Sequence, residues 1–284
     1  MSDRALELLL EQRITREPSQ PVTQHTVDEW IEIFGSRFPA ADASVVPPIM
    51  VTTFPRSPVA PTAGESAATG VVLHDQLKRL VDLPVAIAIG YELELLGEIR
   101  VGDRLVSEER IADLGPERST RLGPGREWII EVVTSTLDRS AVCIERFRMM
   151  GYRPGERDEA AESVRSEAPA MAWTEELTVD TDLIIGWASA HRVWAAAHHD
   201  AESARAVGLP DIILDTSSQV SLFAGAAHRH RPNEKLLRIE LEMKRPILPG
   251  ATVVIGGVEN ESATIVSAMV EGREASRAII TFES

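Results

Sequence analysis

The sequence contains one pattern twice, as Tyr91-Glu-Leu-Glu-Leu-Leu-Gly-Glu-Ile-Arg-Val-Gly-Asp-Arg-Leu-Val106 and as Ile239-Glu-Leu-Glu-Met-Lys-Arg-Pro-Ile-Leu-Pro-Gly-Ala-Thr-Val-Val254. Placing Gly102 over Gly250, an offset of 148 residues, also aligns Glu92 with Glu240. Each segment alternates apolar and polar residues at a period of two, reaches a glycine and resumes with two aliphatic residues. This pattern predicts half-buried antiparallel strands. We therefore expect an internal duplication.

A second repeated feature precedes each of these segments. Residues 26–36 and 179–189 are interpreted as short capped helices, with Asp28 and Thr181 at the cap or in the first turn. Between the halves, residues 153–169 are rich in charged and small residues, as is typical of a linker. We expect a first domain at 1–154, a linker at 155–172 and a second domain at 173–284. Helices packed on an antiparallel sheet make each an α+β domain.

Composition excludes several classes of protein. The net charge of −15 over 284 residues repels nucleic-acid phosphates, and no basic tail offsets it. A single cysteine, Cys143, excludes an internal disulfide and fits a reducing compartment. The segment 4–12 reads as an amphipathic helix rather than a secretion signal, and the longest apolar runs are too short to span a bilayer. We expect a cytoplasmic protein that binds neither membranes nor nucleic acid.

The second half carries the segment His198-His-Asp-Ala-Glu-Ser-Ala-Arg-Ala-Val-Gly-Leu-Pro-Asp-Ile-Ile-Leu-Asp-Thr216, followed later by Arg245-Pro-Ile-Leu-Pro-Gly250. These motifs resemble those of the MaoC-like (R)-specific enoyl-CoA hydratase and dehydratase family. The first half is similar to the degenerate partner domain of fused members, through Val46-Pro-Pro-Ile-Met50 and the turn at Gly102. The resemblance covers most of the chain and is stronger in the second half.

The resemblance implies a tandem (double) hotdog fold, with two antiparallel sheets that each wrap around a central helix. It also implies an enzyme that adds water to, or removes water from, an enoyl- or 3-hydroxyacyl-CoA. His198 matches the catalytic histidine of the family. However, Val193 occupies the position of the catalytic aspartate, and Ala195 occupies that of an asparagine. The catalytic motif is therefore degenerate.

The start of the second central helix offers a replacement for the missing carboxylate. The family tends to have His-Gly there, and this chain has Asp215 and Thr216. Asp215 is either an N-cap or a base or nucleophile facing the cleft, and the sequence leaves both readings open. Backbone N–H groups at this helix start, at Thr216 and Ser217, would bind the thioester oxygen. His191 is a further candidate for the missing acid–base group.

Other features bear on ligands and on alternative functions. Arg229 and Arg231 belong to a locally basic run that is predicted to bind the phosphates of coenzyme A. The histidines lack a second ligand cluster at a metal-site spacing, so we expect no metal and no other cofactor. One alternative is a hotdog thioesterase that uses Asp215. Another is a protein without catalysis that binds acyl-CoA or partners an active hydratase. The resemblance also predicts a homodimer.

Overall fold

The computed structural model describes residues 3–17, 19–34, 46–58, 60, 71–120, 123–138, 140–153 and 170–283. The α-helices are α1 (Asp3–Glu11), α2 (Gln24–Phe34), α3 (Val72–Leu80), α4 (Thr181–Ala190), α5 (Ala201–Ala206) and α6 (Thr216–His230). Short 3-10 helices cover Pro48–Thr52 and Ala196–His198. The strands are β1 (Arg13–Thr15), β2 (Val85–Leu95), β3 (Leu105–Leu114), β4 (Arg118–Thr120), β5 (Gly123–Thr136), β6 (Ala141–Tyr152), β7 (Trp173–Val179), β8 (Leu236–Met243), β9 (Ala251–Glu259), β10 (Ala263–Val270) and β11 (Arg273–Phe282).

The described strands form one antiparallel sheet, in the order β1-β3-β5-β6-β2-β8-β11-β10-β9-β7, with β4 on β5. Strands β1–β6 make up the first half of the chain and β7–β11 the second half. The expected two sheets are therefore joined edge to edge, because β2 and β8 pair and remove one exposed edge from each half. The turn glycines of the repeat separate strands that do not pair with each other: β3 pairs with β1 and β5, and β9 pairs with β7 and β10.

The register between β2 and β8 has the symmetry of a two-fold axis. Glu92 lies opposite Glu240, its equivalent in the repeat, and Tyr91 lies opposite Leu241. Like charges directly opposite each other destabilise a sheet. Here Arg238 bridges both carboxylates, at 3.1 Å from Glu92 and 2.8 Å from Glu240. The two halves are thus related as the subunits of a symmetric dimer would be.

Each half packs a helix against its part of the sheet. In the second half α6 is buried on all sides from Ser217 to Ala227, and it contacts β8 to β11. In the first half the shorter α3 packs against β3 through Leu73 and Leu77, which are both fully buried. The apolar cores that cover these helices stabilise both halves.

The first turns of the predicted helices differ from expectation in detail. Helix α2 begins at Gln24, so Asp28 lies in its second turn, and the Thr23 hydroxyl accepts a hydrogen bond from Thr26 N–H instead. Helix α4 is capped by Asp180, which accepts from Leu183 N–H at 2.7 Å, and Thr181 is its first helical residue. In both cases the residue immediately outside the helix supplies the side-chain oxygen that a cap requires.

The predicted division into two domains with a linker at 155–172 remains a prediction, since most of that linker lies outside the described residues. Among the residues that are described, no helix is long and apolar enough to cross a membrane.

Candidate functional site

A cavity of about 800 Å³, here called the site cavity, lies where the two halves meet. Its walls are mainly apolar and come from β2, β5, β6 and α3 in the first half and from the segment before α6 in the second half. Its volume lies in the range typical of small-molecule sites. The polar side chains that line it are Arg56, His74, Lys78, Thr120, Tyr152, His198, Ser203, Asp215, Thr216, Ser217, Gln219, Lys244 and Arg245.

His198 lines the site cavity and is held in a defined orientation. It ends the 3-10 helix Ala196–His198, and its Nδ1 lies 2.9 Å from the carbonyl oxygen of Ile213. A carbonyl only accepts hydrogen bonds, so Nδ1 carries the proton in the neutral ring. The lone pair is then on Nε2, for which the described residues provide no hydrogen-bond donor.

Asp215 is an N-cap. Its carboxylate is 2% exposed and accepts hydrogen bonds from the backbone N–H groups of Ser217, at 2.8 Å, and Ser218, at 3.1 Å, and from the Ser218 hydroxyl. Burial acts to raise its pKa, but His198, His191 and the Ser218 hydrogen bonds outweigh this effect, so the pKa is lowered. The carboxylate therefore stays ionised and engaged with the helix start. This geometry favours the capping interpretation over a base or nucleophile.

After capping, the N–H of Thr216 at the start of α6 has no acceptor among the described residues. Asp215 satisfies the N–H groups of Ser217 and Ser218, and the Gln219 N–H donates to the Asp215 carbonyl at 3.1 Å. In the part of the chain that the structure describes, no acceptor faces the N–H of Thr216, the first residue of α6. Thr216 lines the site cavity, so this amide is available to a ligand oxygen.

Arg56 reaches this helix start from the first half. Its guanidinium donates to Ser217 Oγ at 2.9 Å and to the His191 carbonyl at 3.0 Å. It lies 3.5 Å from Glu145, which also accepts from the Tyr91 hydroxyl at 2.9 Å. Burial raises the pKa of Glu145 more than Arg56 and Tyr91 lower it. Because Arg56 donates to Ser217 Oγ, the Ser217 hydroxyl hydrogen can point to a ligand.

Sequence reasoning missed Arg56, although a signal was present. It is the single charged residue between positions 45 and 61, a stretch that is otherwise apolar, hydroxyl-bearing and proline-rich. The 3-10 helix Pro48–Thr52 packs against α6 and brings the loop that carries Arg56 to the second half. A lone charge in an apolar segment needs a partner, and here the partners lie more than 80 residues away.

His191 lies behind the site cavity rather than on its wall. The ring is completely buried, with Nε2 at 2.9 Å from Ser221 Oγ and Nδ1 at 3.3 Å from Thr53 Oγ1. Burial, its largest influence, lowers its pKa to about 3, with Asp215 opposing and Arg56 reinforcing the shift. A neutral ring with both nitrogens engaged is a structural group, so this placement does not support the proposed acid–base role.

The structure does not bring Arg229 and Arg231 to the site cavity. Both lie at the far end of α6, whose 15 residues span roughly 22 Å. Arg229 pairs with Glu175. Arg231 is buried against Phe282 and pairs with Glu234. The members of the basic run that line the site cavity are instead Lys244 and Arg245, which follow β8.

Val193 and Ala195 line the site cavity at the positions where the resemblance expects an aspartate and an asparagine. Asp215 is the one carboxylate among the described residues of the wall. Of the predicted site residues, the structure therefore brings together His198, Asp215, Thr216 and Ser217. With valine and alanine at those two positions, His198 is the imidazole that lines the site cavity beside the start of α6 in the described part of the chain.

Comparison with known proteins identifies the fold. No protein-family model and no curated protein sequence matches the chain. Among solved structures, a MaoC-like dehydratase aligns with a TM-score of 0.72 at 14% identity, over 98% of this chain and all of the other. A MaoC-like dehydratase from Phytophthora capsici gives 0.72 at 12% identity, over 98% and 99%. A Mycobacterium tuberculosis protein described as having a double hotdog fold gives 0.56 at 16%, over 95% of each chain. The expected double hotdog is confirmed.

Proposed function

Because the chain has the double hotdog fold of MaoC-like dehydratases, we propose that it adds water to an enoyl thioester of coenzyme A, or removes water from the 3-hydroxyacyl product, with His198 as its acid–base group. One observation carries this proposal. His198, whose Nε2 carries the lone pair, and Thr216, the first residue of α6, line the same cavity. A base and an oxyanion donor are the two elements that the reaction requires.

The hydration step can be written with these groups alone. His198 Nε2 takes a proton from water as the water oxygen bonds to the β-carbon, and the electron pair of the double bond moves onto the thioester oxygen. The Thr216 N–H and the Ser217 hydroxyl, which Arg56 orients, stabilise that oxyanion. The protonated His198 then returns its proton to the α-carbon. The same base acts twice, first on the water and then on the α-carbon.

Two features supply the electrostatics of the step. Asp215 and His198 lie close enough together for His198 to lower the pKa of the Asp215 carboxylate. In return, the negative charge of Asp215 stabilises the positively charged ring during proton transfer. The N-terminal end of α6 carries the positive end of the helix dipole, which favours an oxyanion. Asp215 thus acts through His198 and the helix rather than on the substrate.

Lys244 and Arg245 are the groups that we propose to contact the phosphates of coenzyme A, in place of Arg229 and Arg231. They follow β8 and line the site cavity near the start of α6. Cations at this position would let the thioester lie beside His198 while the acyl chain extends along the apolar wall from β2 and β6. The thioesterase alternative has less support, because hydrogen bonds from Ser217 and Ser218 already occupy the Asp215 carboxylate.

A second candidate is acyl-thioester binding without turnover, and the apolar side chains of Val193 and Ala195 on the cavity wall favour it. The two are separated by incubating the protein with crotonyl-CoA and with longer 2-enoyl-CoAs. We expect loss of the conjugated-thioester absorbance without release of free thiol. Release of thiol in step with the absorbance would indicate hydrolysis instead. Binding by calorimetry without any absorbance change would overturn the hydratase proposal in favour of the binder.

A further inference from the structure

The first-half wall of the site cavity carries a polar pair that the proposed chemistry does not use. His74 and Lys78 lie on α3 and both line the site cavity. They are four residues apart on one helix, so their side chains are neighbours on one face. Around them the cavity wall is apolar, with Val85, Ile87, Ile130 and Met149 among its residues.

The hydrogen bonds of His74 fix its protonation state. The ring is 4% exposed, and its Nδ1 accepts the Trp128 Nε1–H at 3.2 Å. Indole is only a donor, so Nδ1 is unprotonated and Nε2 carries the hydrogen. Burial, followed by the charge of Lys78, lowers the pKa of His74 to about 4, so the ring is neutral at neutral pH.

That Nε2–H has no acceptor within the described residues, although it belongs to a buried side chain on a cavity wall. Lys78, half-buried, forms no ion pair with any carboxylate that the structure describes. A hydrogen-bond donor and a partly buried cation on a mainly apolar wall both gain free energy when an anionic group pairs with them. The wall therefore presents two positive or donating groups to whatever fills this part of the cavity.

We infer that the α3 wall of the site cavity binds a carboxylate at the far end of the acyl chain, through Lys78 and the Nε2–H of His74. The inference rests on the proposed thioester substrate and narrows its class to thioesters of dicarboxylic acids. A methyl-terminated chain would cover both groups without pairing them. A terminal carboxylate pairs with both Lys78 and His74. A site with such polar groups discriminates strongly against a ligand that cannot pair with them.

Binding of unreactive saturated probes tests this inference without any turnover. Glutaryl-, adipyl- and suberyl-CoA are compared by calorimetry with pentanoyl-, hexanoyl- and octanoyl-CoA. We expect at least one dicarboxylic probe to bind ten- to a hundredfold more tightly than its methyl-terminated counterpart. Lys78→Met should bring the two within about threefold, and His74→Gln should reduce the preference in part.

Arg79→Met is the matched control. It removes an equal charge from the next position of α3, where the side chain is exposed and does not line the site cavity. This variant should keep the full preference. The inference is overturned if the wild type binds methyl-terminated probes at least as tightly at every length, or if Lys78→Met keeps the preference.

The hydratase proposal can fail separately. If the dicarboxylic preference holds but no enoyl derivative gains water, the chemistry is wrong and the α3 wall assignment stands. If hydration occurs without the preference, the α3 wall assignment is wrong and the hydratase proposal stands. If no acyl-CoA binds, the thioester substrate is wrong and the inference falls with it.

Discussion

Replacing His198 by glutamine removes the ring nitrogen that would accept a proton from water. We expect kcat to fall by about 10²- to 10⁴-fold, the usual contribution of general acid–base catalysis. The melting temperature should change little, because His198 is only partly buried and its ring bonds to a single backbone carbonyl. Steady-state rates with an enoyl-CoA measure the loss. His199→Gln is the control, since that ring bonds to the Val193 carbonyl and does not line the site cavity; an equal loss there would contradict the assignment.

Asp215 can be tested with two substitutions. Asparagine still offers an oxygen to the Ser217 and Ser218 N–H groups, so Asp215→Asn should keep turnover within about tenfold of the wild type. Asp215→Ala removes the cap and should lower the free energy of unfolding by about 1–2 kcal/mol. Chemical denaturation and steady-state kinetics report the two effects. Abolished turnover in a stable asparagine variant would show that the charge of Asp215, and not only its capping oxygen, is needed for the chemistry.

His191 predicts a stability change with pH. Its pKa in the folded state is about 3, against 6.5 for an ordinary histidine. Below pH 6.5 the unfolded chain binds a proton that the folded chain refuses, so stability falls as the pH falls. Between pH 7.5 and 5 this group should cost roughly 2 kcal/mol. His191→Gln should remove that part of the dependence. Parallel unfolding free energies for the two proteins across this range would contradict the prediction.

Only part of the site could be predicted from single residues. His198, Thr216 and Ser217 follow from a motif with fixed local spacing. Arg56 and His74 lie in the first half and reach the site cavity only through tertiary packing, which no local pattern encodes. The same limit explains why Arg229 and Arg231 were expected near the ligand although they lie at the far end of α6. A run of charge in the sequence does not say which end of a helix faces a ligand.

At the level of the helices and strands, two glycines give a matched test. A Cβ on Gly151 in β6 would lie 2.2 Å from the Trp128 ring, which holds His74. Gly151→Ala should therefore destabilise the protein by about 1–3 kcal/mol. A Cβ on Gly186 in α4 meets nothing within 4 Å, so Gly186→Ala should stabilise by about 0.5–1 kcal/mol. Thermal unfolding of both variants measures this, and a neutral Gly151→Ala would contradict the packing of Trp128.

The sequence indicated where strands lie better than it indicated which strands pair. Alternation at a period of two correctly indicated strands in both repeats, and Gly102 and Gly250 have positive φ values of 100° and 85°, as turn positions that favour glycine do. The pairing of β2 with β8 was not predicted. It joins residues about 150 positions apart, and alternation specifies the faces of a strand but not its neighbour.

The whole molecule places its functional groups asymmetrically on a nearly symmetric frame. In each half a carboxylate accepts N–H groups at the start of the central helix: Asp215 for α6, and Glu109 of β3 for Leu73 N–H of α3, at 2.8 Å. The second half adds His198 beside its helix start, whereas the first half adds His74 and Lys78 to its wall. One cavity thus has a proposed reactive end and a proposed anion-binding end.

A crystal structure with an unreactive thioether analogue of an enoyl-CoA tests the central claim most directly. We predict that the acyl β-carbon lies within one water molecule of His198 Nε2 and that the group replacing the thioester lies beside Thr216 N. The acyl chain should run along β2 toward α3. An analogue bound with its acyl group outside the site cavity, or with its reactive carbons away from His198, would contradict the claim.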